Sequence, residues 1–291
     1  MNEPVLLEHA AAKLNVFLRV MGRREDGYHD IETVILPLDL HDVVRIQVAG
    51  STRVDVAGPR AGELSAAGGE HLARRAIEAF VSATGIAATV EVTIEKRIPV
   101  TAGMGGGSAD AAAVLRVLSR LHRIDPLDLL PAAAGLGADV PALLHGGPVL
   151  VEGRGDRLTP VMAASANWVI APQAFGVRTA DAYRWWDEDP VSGPDPGALI
   201  AALETGNVDL LGSAFYDDLE SVVLARHPAI AVTRDALLEA GAAGAVMTGS
   251  GPTVVALARH PGEAARIAAA VPGAFVTTGP PRTMGTPSGV V

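Results

Sequence analysis

Cysteine is absent from this 291-residue chain, and its absence removes several classes of site. Without a thiol, the chain can form no disulfide, bind no zinc through thiolates and use no cysteine nucleophile. The eight histidines form no HxH or HxxxH pair, which argues against a histidine metal site built from one local segment. We therefore expect no resident metal, and the composition fits a reducing cytoplasm.

Long apolar runs are missing as well. No stretch approaches the roughly 18 to 20 residues that a membrane span needs. The start, MNEPVLLEHAAAKLN, lacks the basic segment and apolar core of a signal peptide. Acidic residues outnumber basic ones by 33 to 23, so the net charge of −10 argues against nucleic acid or an anionic membrane as partner. We expect a cytoplasmic protein, a monomer or weak homodimer, whose partner is a small molecule.

Lysine is scarce. The 23 basic residues comprise 21 arginines and only two lysines, Lys13 and Lys96. A compact ammonium on a flexible stem can be placed where a planar guanidinium does not fit. Chance could also leave two exceptions. Both lysines nevertheless lie beside the motifs described below.

Aromatic residues make up only 4% of the chain against 49% hydrophobic residues, which indicates an aliphatic core and layered packing of helices on sheets. Alternation predicts strands at KLNVFLRVMG, YHDIETVILPLDL, DVVRIQVAG and AATVEVTIEKRIP, and the turn-like RREDG and HD are predicted to separate the first three. Helical spacing predicts helices over 70–85, 108–121 and 126–134.

After Pro160 the pattern restarts. Strands are predicted at NWVIAP, GAVMTG, PTVVALA and AFVTTG, and helices over 181–186, 196–204 and 219–240. The chain is thus predicted to hold two α/β lobes, 1–160 and 161–278. The remaining tail, 279–291, is rich in Gly, Pro and Ser and is predicted to be disordered.

The stretch PVTAGMGGGSADAAAVL places clustered glycines directly before an alanine-rich helix. Such a loop lets backbone N–H groups converge on an anion at the helix N-terminus, most often a phosphate. It lacks the Gly-Lys-Ser/Thr ending of a P-loop and the GxGxxG spacing of a dinucleotide fold. A plain glycine-rich turn with Ser108 as N-cap is the alternative, and the two roles are compatible.

This loop resembles the phosphate-binding motif of the GHMP kinase superfamily. Three further stretches resemble one family within it, the kinases of 4-diphosphocytidyl-2-C-methyl-D-erythritol. They are AAAKLNVFLRVMGRREDGYHDIETV, GLGADVPALLHGGPVLVEGRGDRLTPV and AVMTGSGPTVVAL, in the family's order over roughly 9–260. The resemblance implies an α/β (α+β) fold with a ribosomal S5 domain 2-like N-terminal lobe and a ferredoxin-like C-terminal lobe. The departures, no proline before Ala12-Lys13 and methionine at position 104, remove no reactive group.

The resemblance assigns Asp139 as the base that accepts the substrate's hydroxyl proton and Lys13 as its charged partner. Electrostatics favours these roles, because a carboxylate beside an ammonium stays ionised and the ammonium can face phosphoryl oxygens. The alternatives are an N-cap role for Asp139 and a solvated strand lysine for Lys13.

The resemblance also implies an ATP site and a site for the cytidine-diphosphate-linked alcohol. The expected ATP-binding residues are Lys96, Pro99, Gly103, Gly105, Gly106, Gly107 and Ser108. The expected substrate-binding residues are Asn15, Tyr28, His29, Tyr183, Gly249, Ser250 and Gly251. Tyr28 would stack on the cytosine and Tyr183 would close its other face, although Trp185 or Trp186 could serve instead. Magnesium would arrive with ATP.

Purely structural roles remain open for several of these residues. Lys96 could be a solvated lysine, DGYH a mere hairpin end, and the second glycine loop a tight hairpin without ligand contact. Asp110 could assist a metal, cap the helix or point outward. Glu152–Asp156 could suggest a metal but reads better as a turn. At the level of function, the rivals are a homoserine or mevalonate kinase, a non-catalytic nucleotide-binding regulator and a Rossmann oxidoreductase.

Overall fold

The computed structural model describes residues 5–67, 71–100 and 102–281. Its strands are β1 (Leu6–Arg23), β2 (His29–Val48), β3 (Arg53–Ala57), β4 (Val90–Glu95), β5 (Val149–Gly153), β6 (Arg157–Pro160), β7 (Ala166–Ala171), β8 (Tyr216–Asp217), β9 (Gly244–Met247), β10 (Val254–Ala258) and β11 (Phe275–Gly279). Its helices are α1 (Ala61–Ala67), α2 (Leu72–Thr84), α3 (Gly106–His122), α4 (Leu130–Leu136), α5 (Val140–His145), α6 (Thr179–Glu188), α7 (Gly197–Thr205), α8 (Val208–Ser213), α9 (Glu220–Arg226), α10 (Pro228–Glu239) and α11 (Pro261–Ala268), with a 3₁₀ turn at Pro126–Leu129.

The first sheet has seven strands in the order β3-β4-β2-β1-β8, with β5 on β2 and β6 on β5. The turn predicted at HD, residues 41 and 42, is wrong, because β2 runs without interruption through it. That continuity lets one long strand pair with β1 along its length, with β4 at its C-terminal end and with β5 near its start.

Helix α3 explains the alanine-rich run. Ala109 and the three alanines at 111–113 are no more than 1% exposed, and α3 packs on β1 and α2. Small side chains let a helix approach its neighbours closely, so the helix and its glycine-rich entry lie directly against the strand that carries Lys13. The predicted helix start at Ser108 is wrong by two residues, because α3 begins at Gly106.

The second sheet is antiparallel, in the order β11-β7-β10-β9. If β7, β9, β10 and β11 are numbered 1 to 4 along the chain, their order in the sheet is 4-1-3-2, and helices follow strands 1 and 3. This arrangement confirms the ferredoxin-like lobe. The predicted helix over 219–240 divides into α9 and α10 at His227-Pro228, where proline begins a new helix.

The two lobes are not fully separate in sequence. The sheets change between Pro160 and Ala166, close to the predicted boundary. However, β8 returns to the first sheet and pairs parallel with β1, Phe17 opposite Tyr216 and Leu18 opposite Asp217. A short piece of the C-terminal half therefore forms the edge of the N-terminal sheet, beside the catalytic candidates.

The end of the chain differs from the prediction at its first residue. Gly279 is the last residue of β11, and its carbonyl accepts a hydrogen bond from Trp168 Nε1 at 3.0 Å. The rest of the predicted tail, 282–291, lies outside the described residues, as does Glu70 at the start of a predicted helix. Among the described helices, none combines the length and the apolarity that crossing a membrane requires.

Candidate active site

Two irregularities in β1 turn its backbone toward the glycine loops. The pairing with β2 shifts between Ala11 and Lys13 and again between Asn15 and Phe17. The Lys13 amide donates to the Met104 carbonyl in the first loop at 3.0 Å. The Asn15 amide donates to Thr248 Oγ1, just before the second loop, at 2.8 Å. Irregularities of this kind release strand amides for other partners, and they frequently occur next to active sites.

Lys13 and Asp139 meet, as the resemblance implied. Lys13 is 5% exposed, and its Nζ lies 3.3 Å from Asp139 Oδ2 and 2.6 Å from Asn15 Oδ1. The Asp139 side chain is 34% exposed. It occupies the N-cap position of α5, as the alternative expected, but its side chain caps no backbone amide among the described residues. The alternative of a solvated Lys13 is wrong. The pair is closed by protein on the lysine side and open on the carboxylate side.

Asn15 is fixed in orientation by its own partners. Its Nδ2 donates to Thr33 Oγ1 at 2.8 Å, and that hydroxyl donates to the Phe17 carbonyl at 2.6 Å. The amide nitrogen therefore faces β2, and the amide oxygen is left to face the Lys13 ammonium. Asn15 is thus a neighbour of the ion pair, and its predicted contact with the substrate stays a prediction.

The first glycine loop contacts both the ion pair and the second loop. A Cβ added at Gly105 would lie 2.9 Å from Lys13 Cγ, and one at Gly103 would lie 2.9 Å from the Gly251 carbonyl oxygen. Both residues have φ of 71°, which favours glycine. Pro99 is buried where the loop begins. These close approaches explain the clustered glycines without a ligand, and they bring the loop against the reactive pair.

The N-terminus of α3 has no side-chain cap. Gly105 is the N-cap residue and makes no such bond, so the prediction of Ser108 as N-cap is wrong. Ser108 lies in the first turn instead, with its Oγ 3.9 Å from the Cβ position of Gly137. Among the described residues, the amides of 106–108 bond no side-chain acceptor, which leaves a helix N-terminus suited to a phosphate.

Lys96 has a different environment from the one expected. It is 2% exposed, so the solvated alternative is wrong. Its ammonium lies 2.8 Å from Asp110 Oδ2, bonds Asp42 as well, and approaches the Cβ position of Gly106 at 3.2 Å. Both carboxylates are fully buried, and His71 Nε2 lies 3.3 Å from Asp110. The expectations that Asp110 caps the helix or points outward are wrong.

Asp42 extends this cluster to the entry of the loop. Its Oδ1 accepts the amides of Arg97 at 2.5 Å and Ile98 at 2.9 Å. Burial and the charge of Asp110 raise the pKa of Asp42 more than Lys96 lowers it. Burial alone would lower the pKa of Lys96, but Asp110 and Asp42 outweigh it and the net pKa is raised. The cluster joins β2, the end of β4 and α3 beneath the loop.

The second glycine loop borders the ion pair. A Cβ on Gly249, whose φ is 60°, would lie 2.8 Å from Asn15 Oδ1 and 3.8 Å from Lys13 Nζ. Ser250 Oγ lies 3.0 Å from Thr179 Oγ1 at the start of α6. The structure thus places both glycine loops around Lys13, which argues against a hairpin without a role in the site.

The aromatic residues do not form the expected arrangement, in which Tyr28 and Tyr183 enclose the two faces of the cytosine. Tyr28 is 59% exposed, with the Arg154 guanidinium 4.3 Å from its ring centroid. Tyr183 stacks instead on His29, with centroids 4.7 Å apart, and His29 Nε2 lies 2.8 Å from Asp187 Oδ1. The structure therefore joins His29 to Tyr183, whereas the ring of Tyr28 faces Arg154.

The two tryptophans also separate. Trp186 is buried and meets His29 edge-on at 5.9 Å, whereas Trp185 packs near His227 and Arg226. Trp186 therefore belongs to the aromatic group around His29, and Trp185 belongs to the packing of α6 on α9.

Sequence reasoning missed two groups that lie near predicted site residues. One is Arg154, which stands in the turn between β5 and β6 and lies over Tyr28. The other is Asp217 in β8, which is 7% exposed. A doubled acid in an otherwise apolar stretch, FYDDLESVV, was the available signal. It resembles an ordinary solvated turn until β8 is seen to pair with β1.

Within the described residues, no group of three or more histidine, aspartate or glutamate side chains has an arrangement that could hold a metal ion. In Glu152–Asp156, Glu152 lies at the end of β5 and Asp156 lies in the turn to β6, so the segment is a turn between strands, as the favoured interpretation expected.

Comparison with known proteins agrees with this geometry. The family profile described as GHMP kinases N terminal domain matches residues 71–147, and that of GHMP kinases C terminal matches 199–277. A 4-diphosphocytidyl-2-C-methyl-D-erythritol kinase of Anaeromyxobacter dehalogenans is 42% identical over 275 residues, covering 92% of this chain and 85% of the relative.

Solved structures give the same result. A crystal structure of 4-(cytidine 5'-diphospho)-2C-methyl-D-erythritol kinase is 34% identical, with a TM-score of 0.79 over 94% of this chain and 99% of that one. Homoserine kinase from Cytophaga hutchinsonii, at 20% identity and a TM-score of 0.67 over 95% and 94%, shares the fold alone. Both lobes, the loop order and this identity lead to one conclusion: the chain belongs to the 4-diphosphocytidyl-2-C-methyl-D-erythritol kinase family of the GHMP kinases.

Proposed function

We propose that this kinase uses ATP to phosphorylate the 2-hydroxyl of 4-diphosphocytidyl-2-C-methyl-D-erythritol, giving the 2-phosphate and ADP. This reaction belongs to the non-mevalonate route to isoprenoid precursors. The observation that carries the proposal is the Lys13–Asp139 pair, which is buried on the lysine side, open on the carboxylate side, and bordered by both glycine loops.

The nucleotide would lie with its phosphates at the uncapped start of α3. Amides there point at the ligand and the helix dipole favours negative charge, which offsets the overall acidity of the chain. Gly103 and Gly105 let this loop lie against Lys13 and the second glycine loop, so the phosphates would lie beside the reactive pair. Magnesium would enter with ATP, held by phosphate oxygens and water rather than by a protein cluster.

The reaction needs one proton acceptor and one fixed positive charge. A lone pair of the substrate's hydroxyl oxygen attacks the γ-phosphorus, and the bond from that phosphorus to the bridging oxygen of ADP breaks. The hydroxyl proton passes to Asp139, whose exposed carboxylate faces the cleft. Lys13 stabilises charge on the transferring oxygens, and Asn15 holds the lysine in place.

The cytidyl end of the substrate would lie near Tyr28 and His29. An exposed aromatic ring offers a stacking surface for a base. Because His29 Nε2 is bonded to Asp187, the contacts of His29 with a base would come from its other ring nitrogen or its backbone. Tyr183 would act on the substrate by holding His29 in place. Ser250 would contact the substrate from the second glycine loop. We place the reaction in the cytoplasm, where ATP is available.

Other GHMP kinases are the nearest alternatives. A homoserine or mevalonate kinase would have no use for an exposed aromatic ring such as Tyr28 on which a base can stack. A non-catalytic regulator would need neither the carboxylate nor the ammonium, and this chain keeps both within 3.3 Å.

The first test is ADP release from Mg²⁺ and ATP with the cytidyl alcohol, with homoserine and mevalonate as parallel acceptors. We expect turnover of the cytidyl alcohol alone. Turnover of homoserine or mevalonate instead would refute the cytidyl assignment and keep the kinase. Bound ATP with no turnover of any of the three would refute the choice of acceptor.

The base assignment has its own test, Asp139→Asn. The amide keeps the size of the side chain but cannot accept the proton, so kcat is expected to fall by about 10²–10⁴-fold while the KM for ATP changes little. Asp128→Asn, which neutralises an exposed acid of the same lobe, is the matched control. An Asp139→Asn enzyme with normal turnover would remove Asp139 from the chemistry.

A further inference from the structure

Asp217 carries the clearest unexplained polar atom near the cleft. It lies in the two-residue strand β8, opposite Leu18 of β1, and is 7% exposed. Its Oδ1 accepts the Leu219 amide at 2.9 Å. Its Oδ2 is buried and has no hydrogen-bond partner among the described residues. A buried carboxyl oxygen without a partner is unfavourable, so its retention calls for a functional reason.

The neighbouring acids of the same segment make hydrogen bonds and an ion pair within the fold. Asp218 accepts the Val20 amide at 2.7 Å and the Tyr216 hydroxyl at 2.8 Å. Glu220 accepts the Met247 amide at 2.9 Å, and Arg234 lies 3.4 Å from it. These two residues tie β8 and α9 to β1 and β9. Asp217 is the acid of this segment that keeps a free oxygen.

Asp217 also lies within electrostatic reach of the reactive pair. It belongs to the strand beside β1, which carries Lys13 and Asn15. Leu18 of β1 pairs with Thr33 on one side and with Asp217 on the other, and Thr33 bonds the Asn15 side chain, so Asp217 lies on the face of the sheet that carries this hydrogen bond. Burial raises the pKa of Asp217, and the charge of Lys13 acts against it.

The surroundings of Asp217 favour its neutral form. Burial raises its pKa well above the usual range, and the charges of Glu220 and Asp218 add to this. The Leu219 amide and Lys13 act in the opposite direction and only partly offset it. A neutral carboxyl both donates and accepts hydrogen bonds, which suits an alcohol group better than a phosphate.

We propose that Asp217 binds the acceptor substrate directly, its Oδ2 forming a hydrogen bond with a second hydroxyl of the polyol, next to the hydroxyl that is phosphorylated. This inference rests on the proposed function, because it takes the acceptor to be a polyol. It assigns Asp217 to binding and orientation of the alcohol, with no part in proton transfer.

Two substitutions test this. Asp217→Ser keeps a short acceptor for the Leu219 amide but cannot reach the cleft. We expect the KM for the cytidyl alcohol to rise by about tenfold, the value of one lost hydrogen bond, with the KM for ATP within about twofold. Asp217→Asn keeps an uncharged donor and acceptor at the same place, so its KM for the alcohol should stay within about threefold of wild type.

Asp218→Asn is the matched control, since it changes an adjacent acid whose contacts are structural. It should lower the thermal midpoint without a selective change in the KM for the alcohol. An unchanged KM for the alcohol in Asp217→Ser, equal rises in both KM values, or an Asp217→Asn enzyme as impaired as Asp217→Ser would each overturn the inference. A wild-type protein that does not turn over the cytidyl alcohol would instead refute the proposed function itself, and this inference with it.

Discussion

The two lysines of this chain contact successive glycines of the same loop, Lys13 beside Gly105 and Lys96 beside Gly106. Both are buried, at 5% and 2% exposure. Their partners differ. Lys13 pairs with Asp139, whose side chain is 34% exposed, whereas Lys96 pairs with two carboxylates that have no exposure.

This difference shows that the burial of a lysine does not by itself identify it as a reactive residue. A buried ammonium is costly unless carboxylates surround it closely, so both lysines need acidic partners. Of the three carboxylates that pair with these lysines, Asp139 is the one that still faces solvent, so it is the one open to a substrate from the cleft. The exposure of the carboxylate, rather than that of the lysine, therefore distinguishes the reactive pair from the pair that supports the loop.

The largest expected effects come from removing each ammonium separately. Lys13→Met should lower kcat by about 10²–10³-fold, since a positive charge aimed at the transferring group is lost. Its effect on stability should be smaller, because Asp139 can be solvated. Lys96→Met should instead lower the free energy of unfolding by about 3–5 kcal/mol, because it leaves two buried carboxylates without a cation.

Urea unfolding and steady-state kinetics on both variants measure this contrast. The triple variant Lys96→Met/Asp42→Asn/Asp110→Asn removes the buried charges together and should recover part of the lost stability. A stable Lys96→Met enzyme with a selective loss of kcat would mean that both lysines act on the substrate, and the comparison would fail.

Substituting the glycines gives a smaller and more local contrast. Gly105→Ala places a Cβ 2.9 Å from Lys13 Cγ at a φ of 71°, so it should cost about 1–2 kcal/mol of stability and displace the reactive lysine. Gly106→Ala is in a helix with no left-handed strain, but its Cβ lies 3.2 Å from Lys96 Nζ. We expect Gly105→Ala to lose more kcat, measured with both substrates saturating. Equal losses would show that the loop responds as one unit.

The smallest expected effect is alkaline loss of stability through Lys96. Its pKa is raised in the folded state, so the folded protein holds this proton where the unfolded chain releases it. The contribution is fully present below the unfolded lysine pKa and declines as pH rises through the folded one. The free energy of unfolding should therefore fall above about pH 10.4.

Asp110→Asn offers the matched variant for this measurement, because it removes one of the two charges that raise the Lys96 pKa. Urea unfolding between about pH 9 and pH 11 should then show a shallower decline than in the wild type. An unchanged slope would place the proton uptake elsewhere, for instance at Tyr183 or Tyr216, whose pKa values burial also raises.

Much of the architecture followed from local patterns. The alternation in VEVTIE predicted β4, and the apolar spacing that ends at Gly85 predicted α2, because both depend on a few neighbouring residues. The HD turn was predicted wrongly for the same reason. His41-Asp42 resembles a surface turn locally, yet Asp42 is buried because its carboxylate bonds Lys96 and two amides of the loop.

The sequence by itself determined the glycine loop before an alanine-rich helix and the two-lobed α/β order, since each is written in local patterns, and the family resemblance of its motifs singled out Lys13 and Asp139. The tertiary structure alone decided that Lys96 supports the loop, that Tyr183 stacks on His29, and that Asp217 is buried beside β1. These contacts join residues that are distant along the chain. They depend on how β2, α3, α6 and β8 pack together, which no local periodicity encodes.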